Sequence, residues 1–101
     1  MIRLIRKAQI APGKLQEAIQ WAKELKEYAD PKYGDRSDAK VFIETLGEHG
    51  VMCFMVDYKD LATLESLFKE QNDDAGFQER VKAVSELFMP DTVDKVYESL
   101  D

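Results

Sequence analysis

Residues Val51 to Tyr58, VMCFMVDY, constrain the fold of this chain more than any other stretch. A strand sends successive side chains to opposite faces, so Val51, Cys53, Met55 and Asp57 share one face and Met52, Phe54, Val56 and Tyr58 the other. Both sets are mostly apolar, whereas a strand with one wet face alternates apolar with polar residues. The segment therefore reads as a strand covered on both sides. Before it, VFIETL at Val41 to Leu46 reads as an antiparallel partner, joined through a four-residue hairpin connector, GEHG, whose Gly47 and Gly50 supply backbone freedom at the loop edges.

From the start of the chain, Ile2 to Ile10 reads as an opening strand. Ile2, Leu4, Ala8 and Ile10 fall on one face with Arg6 among them; Arg3, Ile5, Lys7 and Gln9 fall on the other. Pro12 and Gly13 break the strand, and the spacing of Leu15, Ala18, Ile19, Ala22, Leu25 and Ala29 predicts a helix from Lys14 to about Ala29. Pro31 is expected to stop that helix, since the residue before a proline is steered away from helical angles. The run DPKYGDRSD then reads as a polar loop. Asp60 is placed to cap a helix carrying Leu61, Leu64, Leu67 and Phe68, and Asp73 or Asp74 to cap a second piece carrying Phe77, Val81, Val84 and Phe88. Pro90 is expected to end that piece, leaving Val93 to Leu100 as a closing strand.

The predicted order is thus strand, helix, strand, strand, broken helix, strand. Two strand-helix-strand halves of this kind give an α+β, ferredoxin-like βαββαβ fold, a four-stranded antiparallel sheet with the helices on one face. At 101 residues the chain has material for one domain, residues 1–101, with a single modest core. Helices cover only one face of such a sheet, so the second apolar face of VMCFMVDY predicts a homodimer packed sheet against sheet.

Composition excludes several partners. A formal charge of -6 opposes a phosphate backbone, and no Lys/Arg cluster offsets it, so nucleic acid is not expected. No stretch approaches the roughly 20 apolar residues of a membrane span, and the charges within MIRLIRKAQI argue against a secretory leader. The expected location is the cytoplasm. The single Cys53 excludes an internal disulfide, and one histidine with one cysteine cannot form the usual closed zinc set. No metal or cofactor is expected.

The segments IAPGK entering EAIQWAKEL, the hairpin FIETLGEHGVMCF, the passage VDYKDLATLESL and the late FQERVKAVSELF together resemble the dimeric α+β barrel superfamily, in its NIPSNAP-like and antibiotic-biosynthesis-monooxygenase-like branches. The resemblance covers nearly the whole chain and rests on pattern and segment order. It implies a homodimer whose two sheets form a barrel, with a ligand cavity between sheet and helices. The superfamily includes cofactor-independent monooxygenases, haem-degrading enzymes, small-molecule binders and proteins of no known activity. A haem-degrading member is expected to carry a histidine on its later helix, and a stress-responsive barrel protein one on its first strand; this chain has neither.

Among individual residues, His49 reads as a solvated turn residue and Cys53 as a small buried hydrophobe. Arg6 is the leading candidate. On a helix-facing position its guanidinium must pair with an acid, Glu44, Asp57 or another, or meet a polar ligand. Trp21, Tyr28, Phe54, Tyr58, Phe68 and Phe77 are candidates for an aromatic pocket around it. The candidate ligand-binding set is therefore Arg6, Trp21, Tyr28, Phe54, Tyr58 and Phe68, with no catalytic residue assigned. The function read from the sequence is a homodimeric small-molecule-binding or structural protein. The alternative is a cofactor-independent monooxygenase-like enzyme acting on a small aromatic substrate, in which the protein supplies a dry cavity and a few polar groups.

Overall fold

The structure is a computed structural model that describes residues 1–47 and 49–100; Glu48, within the hairpin connector, and Asp101 lie outside the described residues. Strand β1 (Ile2–Ile10) leads into helix α1 (Leu15–Tyr33), then β2 (Ser37–Ile43), β3 (Val51–Tyr58), α2 (Leu61–Asn72), α3 (Ala75–Val81), α4 (Val84–Leu87) and β4 (Phe88–Glu98). The strands form one antiparallel sheet in the order β2-β3-β1-β4, which is the ferredoxin-like arrangement.

Register fixes the two faces. Arg6 lies opposite Phe54 on β3 and Asp94 on β4, and Ala8 lies opposite Met52, so the set Ile2, Leu4, Arg6, Ala8 and Ile10 shares the helix side with Met52, Phe54, Val56 and Tyr58. The helix side of β1 is buried at Ile2, Leu4, Ala8 and Ile10. The outer side carries Ile5, Phe42, Met55, Val93 and Tyr97 beside Arg3, Lys7, Lys40 and Lys95. On that side Val51 and Cys53 are already buried within the single chain, while Phe42, Val93 and Tyr97 are about half exposed.

Four boundaries differ from the sequence expectation. Helix α1 runs through Pro31 to Tyr33. Proline lacks an N–H and so loses one helical hydrogen bond, but here it falls in the last turn, and the chain gains burial of the Tyr33 ring at 3% exposure. Strand β2 begins at Ser37 and ends at Ile43, where the sequence reading places a loop and a strand running to Leu46. Phe88 and Pro90 belong to β4, not to the last helix. The β1–β4 register shifts between Ala8 and Ile10, so Pro90 sits in a bulge of an edge strand, where a missing donor is tolerated. Finally, the late helical piece is two short helices, α3 and α4.

Other local signals hold. Asp60 accepts from the Thr63 backbone N–H at 2.8 Å and Asp74 from that of Phe77 at 3.1 Å, capping α2 and α3. Gly47 and Gly50 take φ of 121° and 72°, the left-handed side that a side chain disfavours.

The core forms two buried clusters. One gathers Ala8, Ile10, Ala18, Ala22, Met52, Leu87 and Phe88; the other gathers Ile2, Leu4, Tyr33, Tyr58, Leu64 and Leu67. Leu67 is fully buried and Leu61, on the same helix, is half exposed. Leu67→Ala is therefore expected to cost about 2–5 kcal/mol in urea unfolding and Leu61→Ala about 0.5 kcal/mol or less, because only the first leaves a void.

Candidate functional site

Arg6 interrupts the apolar face of β1 between the two clusters, and the space around it is not filled. A cleft of about 490 Å³ opens there between sheet and helices, with walls drawn from both clusters, among them Leu4, Ala8, Ala22, Tyr33, Tyr58 and Phe88. Its size lies within the range of small-molecule sites.

Aromatic rings form much of the wall. Trp21 from α1, Phe54 from β3 and Phe88 from β4 meet edge to face, with centroids 6.1 Å apart for Trp21–Phe54, 5.5 Å for Trp21–Phe88 and 6.5 Å for Phe54–Phe88. The Trp21 indole N–H donates to the Arg80 carbonyl at 2.8 Å, so its polar end is satisfied and the ring is held. At the other end Tyr33 and Phe77 meet edge to face at 6.1 Å.

The acid that meets Arg6 is neither Glu44 nor Asp57. Arg6 Nε and Nη2 donate to the two carboxylate oxygens of Asp94 at 2.7 and 2.8 Å. Glu44 instead lies 3.4 Å from Lys7, and Asp57 accepts both Arg3 bonds on the outer face at 2.7 and 3.0 Å. Asp94 is the direct β4 partner of Arg6. The alternation of β4 carries that signal only once its register is known. The pair is also less buried than a helix-facing position suggests, with side-chain exposures of 46% and 44%, because the helices leave β4 uncovered. Hydrogen bonding to Asp94 raises the Arg6 pKa, and the same bonds hold the Asp94 carboxyl below its usual range. Solvent screening limits such a pair to about 1 kcal/mol or less of stability.

Of the sequence candidates, Arg6, Trp21, Phe54, Tyr58 and Phe68 line the cleft, as does Phe77. Tyr28 does not, and its position corrects the idea of one aromatic pocket holding all of them. Its hydroxyl donates to Asp74 at 2.8 Å, and Arg80 stacks on its ring at 4.0 Å from the centroid. A Cβ at Gly76 would collide with the Tyr28 hydroxyl, so the tyrosine reaches Asp74 because position 76 has no side chain. Asp74 also accepts from the Tyr33 hydroxyl at 2.6 Å and from Lys32 at 3.2 Å. The sequence reading assigns Asp74 only a capping role; its spacing from Tyr28 and Tyr33 gives no sign of this network. His49 and Cys53 lie away from the cleft lining, in the exposed hairpin loop and on the outer sheet face respectively.

These contacts fasten the end of α1 to the α2–α3 junction. The hydroxyl of Tyr33, followed by that of Tyr28, holds the Asp74 carboxyl well below the usual carboxylate range. A depressed folded-state pKa gives stability that is present above the unfolded value, about 3.9, and is lost as pH falls toward the folded value. Asp74→Ala is therefore expected to lower the urea midpoint at pH 7. The gap to the unsubstituted protein should narrow as pH drops below about 4, and a gap that stays constant to pH 2 would contradict the assignment.

No protein-family model matches the chain, and no curated protein does. Solved structures do match. An antibiotic biosynthesis monooxygenase superposes with a TM-score of 0.77 at 16% identity over 100% of both chains. A NIPSNAP family protein from Agrobacterium tumefaciens gives 0.83 at 18% identity over 99% of this chain and 93% of the other. A conserved protein from Methanosarcina mazei gives 0.76 at 26% identity over 96% and 90%. The chain has the fold of the antibiotic-biosynthesis-monooxygenase-like and NIPSNAP proteins. No helix is long and apolar enough to cross a membrane among the described residues.

Proposed function

We propose that this chain, built on the fold of the antibiotic-biosynthesis-monooxygenase-like and NIPSNAP proteins, is a homodimeric small-molecule-binding protein whose ligand occupies the cleft between sheet and helices. The observation that carries this reading is the cleft itself: about 490 Å³ walled by aromatic rings, at the point where the two core clusters would otherwise meet. The cleft is open to solvent at the Arg6–Asp94 edge, so a small molecule with apolar faces can displace water from its aromatic walls. The charged groups at the wall are paired with one another, Arg6 with Asp94 and Lys26 with Asp30, which suits orientation of a ligand more than chemistry upon it. Arg6 is engaged by Asp94, and neither His49 nor Cys53 is part of the lining.

Dimerisation follows from the outer face of the sheet. Phe42 at 47%, Val93 at 55% and Tyr97 at 49% exposure lie there with Ile5 and Met55, an apolar surface that a monomer leaves in water. A second copy related by a two-fold axis would bury the same patch on each subunit.

Native mass spectrometry of the freshly purified protein tests both parts. The expected spectrum is a dimer with an adduct of small-molecule mass, and Ala39→Phe, which places a ring in the cleft, should remove the adduct and keep the dimer. Phe42→Asp should give a folded monomer, since that side chain is half exposed in the single chain. A monomer for the unsubstituted protein at micromolar concentration would contradict the dimer. An adduct that survives Ala39→Phe would place the ligand elsewhere.

A further inference from the structure

Each charged side chain that lines the cleft faces an opposite charge that also lines it. Arg6 is bound in bidentate fashion by Asp94, and Lys26 pairs with Asp30 one helical turn on. The site therefore offers no cation or anion left over for a charged ligand. A carboxylate beside Arg6 would have to approach Asp94, and an ammonium beside Asp94 would have to approach Arg6. Either ion would also give up water to apolar walls, which is unfavourable without a counter-charge.

Several of the neutral polar groups are satisfied within the chain, and of the rest Asn72 and Thr92 are exposed and Gln71 is half-buried, which leaves Tyr58 as the buried one. The Tyr33 hydroxyl donates to Asp74 at 2.6 Å, Ser37 Oγ to the Tyr33 carbonyl at 3.0 Å, and the Gln78 amide to the Gln71 carbonyl at 2.9 Å. Tyr58 is only 4% exposed, lies on the helix side of β3, lines the cleft, and donates to no group among the described residues. No buried side-chain oxygen lacks a partner among the described residues, so the Tyr58 hydroxyl keeps access to solvent, and a ligand that displaces that solvent must replace its hydrogen bond. A hydrocarbon ligand would leave this hydroxyl unsatisfied. We propose that the ligand is an uncharged molecule bearing a hydrogen-bond-accepting oxygen, and that Tyr58 is the residue that recognises it by donating its Oη–H. Burial pushes the Tyr58 phenol up, against a smaller opposing pull from Arg6, so the proton to be donated is present at neutral pH.

The inference rests on the cleft being a ligand site, and the experiment separates the two. Three compounds of one shape serve as probes: 2-acetylnaphthalene with an accepting carbonyl, 2-naphthoate with a charge, and 2-methylnaphthalene with neither. Their affinities for the full-length protein and for Tyr58→Phe are measured by calorimetric titration, with circular dichroism to verify folding; the substitution removes one oxygen that donates to no group among the described residues. The ketone is expected to bind at least about tenfold more tightly than the carboxylate, and Tyr58→Phe to lower the ketone-to-hydrocarbon affinity ratio by about tenfold, one hydrogen bond's worth. The hydrocarbon itself should change by less than about threefold. Tighter binding of the carboxylate would overturn the neutral-ligand assignment, and an unchanged ketone-to-hydrocarbon ratio would overturn the role of Tyr58, in both cases with the cleft still a binding site. If none of the three binds either protein, the cleft reading falls and this inference with it.

Discussion

An arginine in the middle of an otherwise apolar strand face is the constraint on which the interior of this protein depends. Ile2, Leu4, Ala8 and Ile10 bury themselves under the helices, but Arg6 cannot be buried without a partner, and its partner lies on the edge strand beside it. The bidentate pair with Asp94 keeps the guanidinium toward the uncovered β4 edge of the sheet. The core forms two buried clusters, with α1 contributing Ala18 and Ala22 to one and Tyr33 to the other, and the cleft draws its walls from both.

Two further features keep the cleft from collapsing. Trp21, Phe54 and Phe88 brace one another edge to face, and the indole N–H of Trp21 is tied to the Arg80 carbonyl, so these large rings cannot swing inward freely. At the opposite end, Asp74 gathers the hydroxyls of Tyr28 and Tyr33, the Lys32 ammonium and the first turn of α3. Its side chain is mostly buried, so these bonds act in a medium of reduced dielectric and rigidify the junction of α1 with α2 and α3. These contacts frame the cleft, and the buried Tyr58 lies on its wall.

Much of this architecture was legible in the residues, and the boundary of legibility follows the range of the interaction. Alternation in Ile2 to Ile10 and Val51 to Tyr58 reads out strands because the signal is local, and the capping residues Asp60 and Asp74 act three residues away. Pro31 and Pro90 mislead because tertiary burial of Tyr33 and a bulge in an edge strand override a local preference. For the site, Arg6 stands out as a charge on an apolar face, but Asp94 is 88 positions away and identifiable only once the β1–β4 register is set. Tyr28 shows the limit of aromatic counting: seven residues from Trp21 on one helix, it points to Asp74 and away from the cleft.

The central claim is that the space between the two clusters is a receptive apolar site and not a gap that the protein closes in solution. Diffraction from crystals of the ligand-free protein held under xenon tests it most directly, since xenon settles against preformed apolar walls and is seen by its electron density. The account predicts xenon, or a retained small molecule displacing it, bounded by Trp21, Phe54 and Phe77 within reach of the Tyr58 hydroxyl. Side chains closed across that volume, with no site for xenon between the clusters, would contradict it.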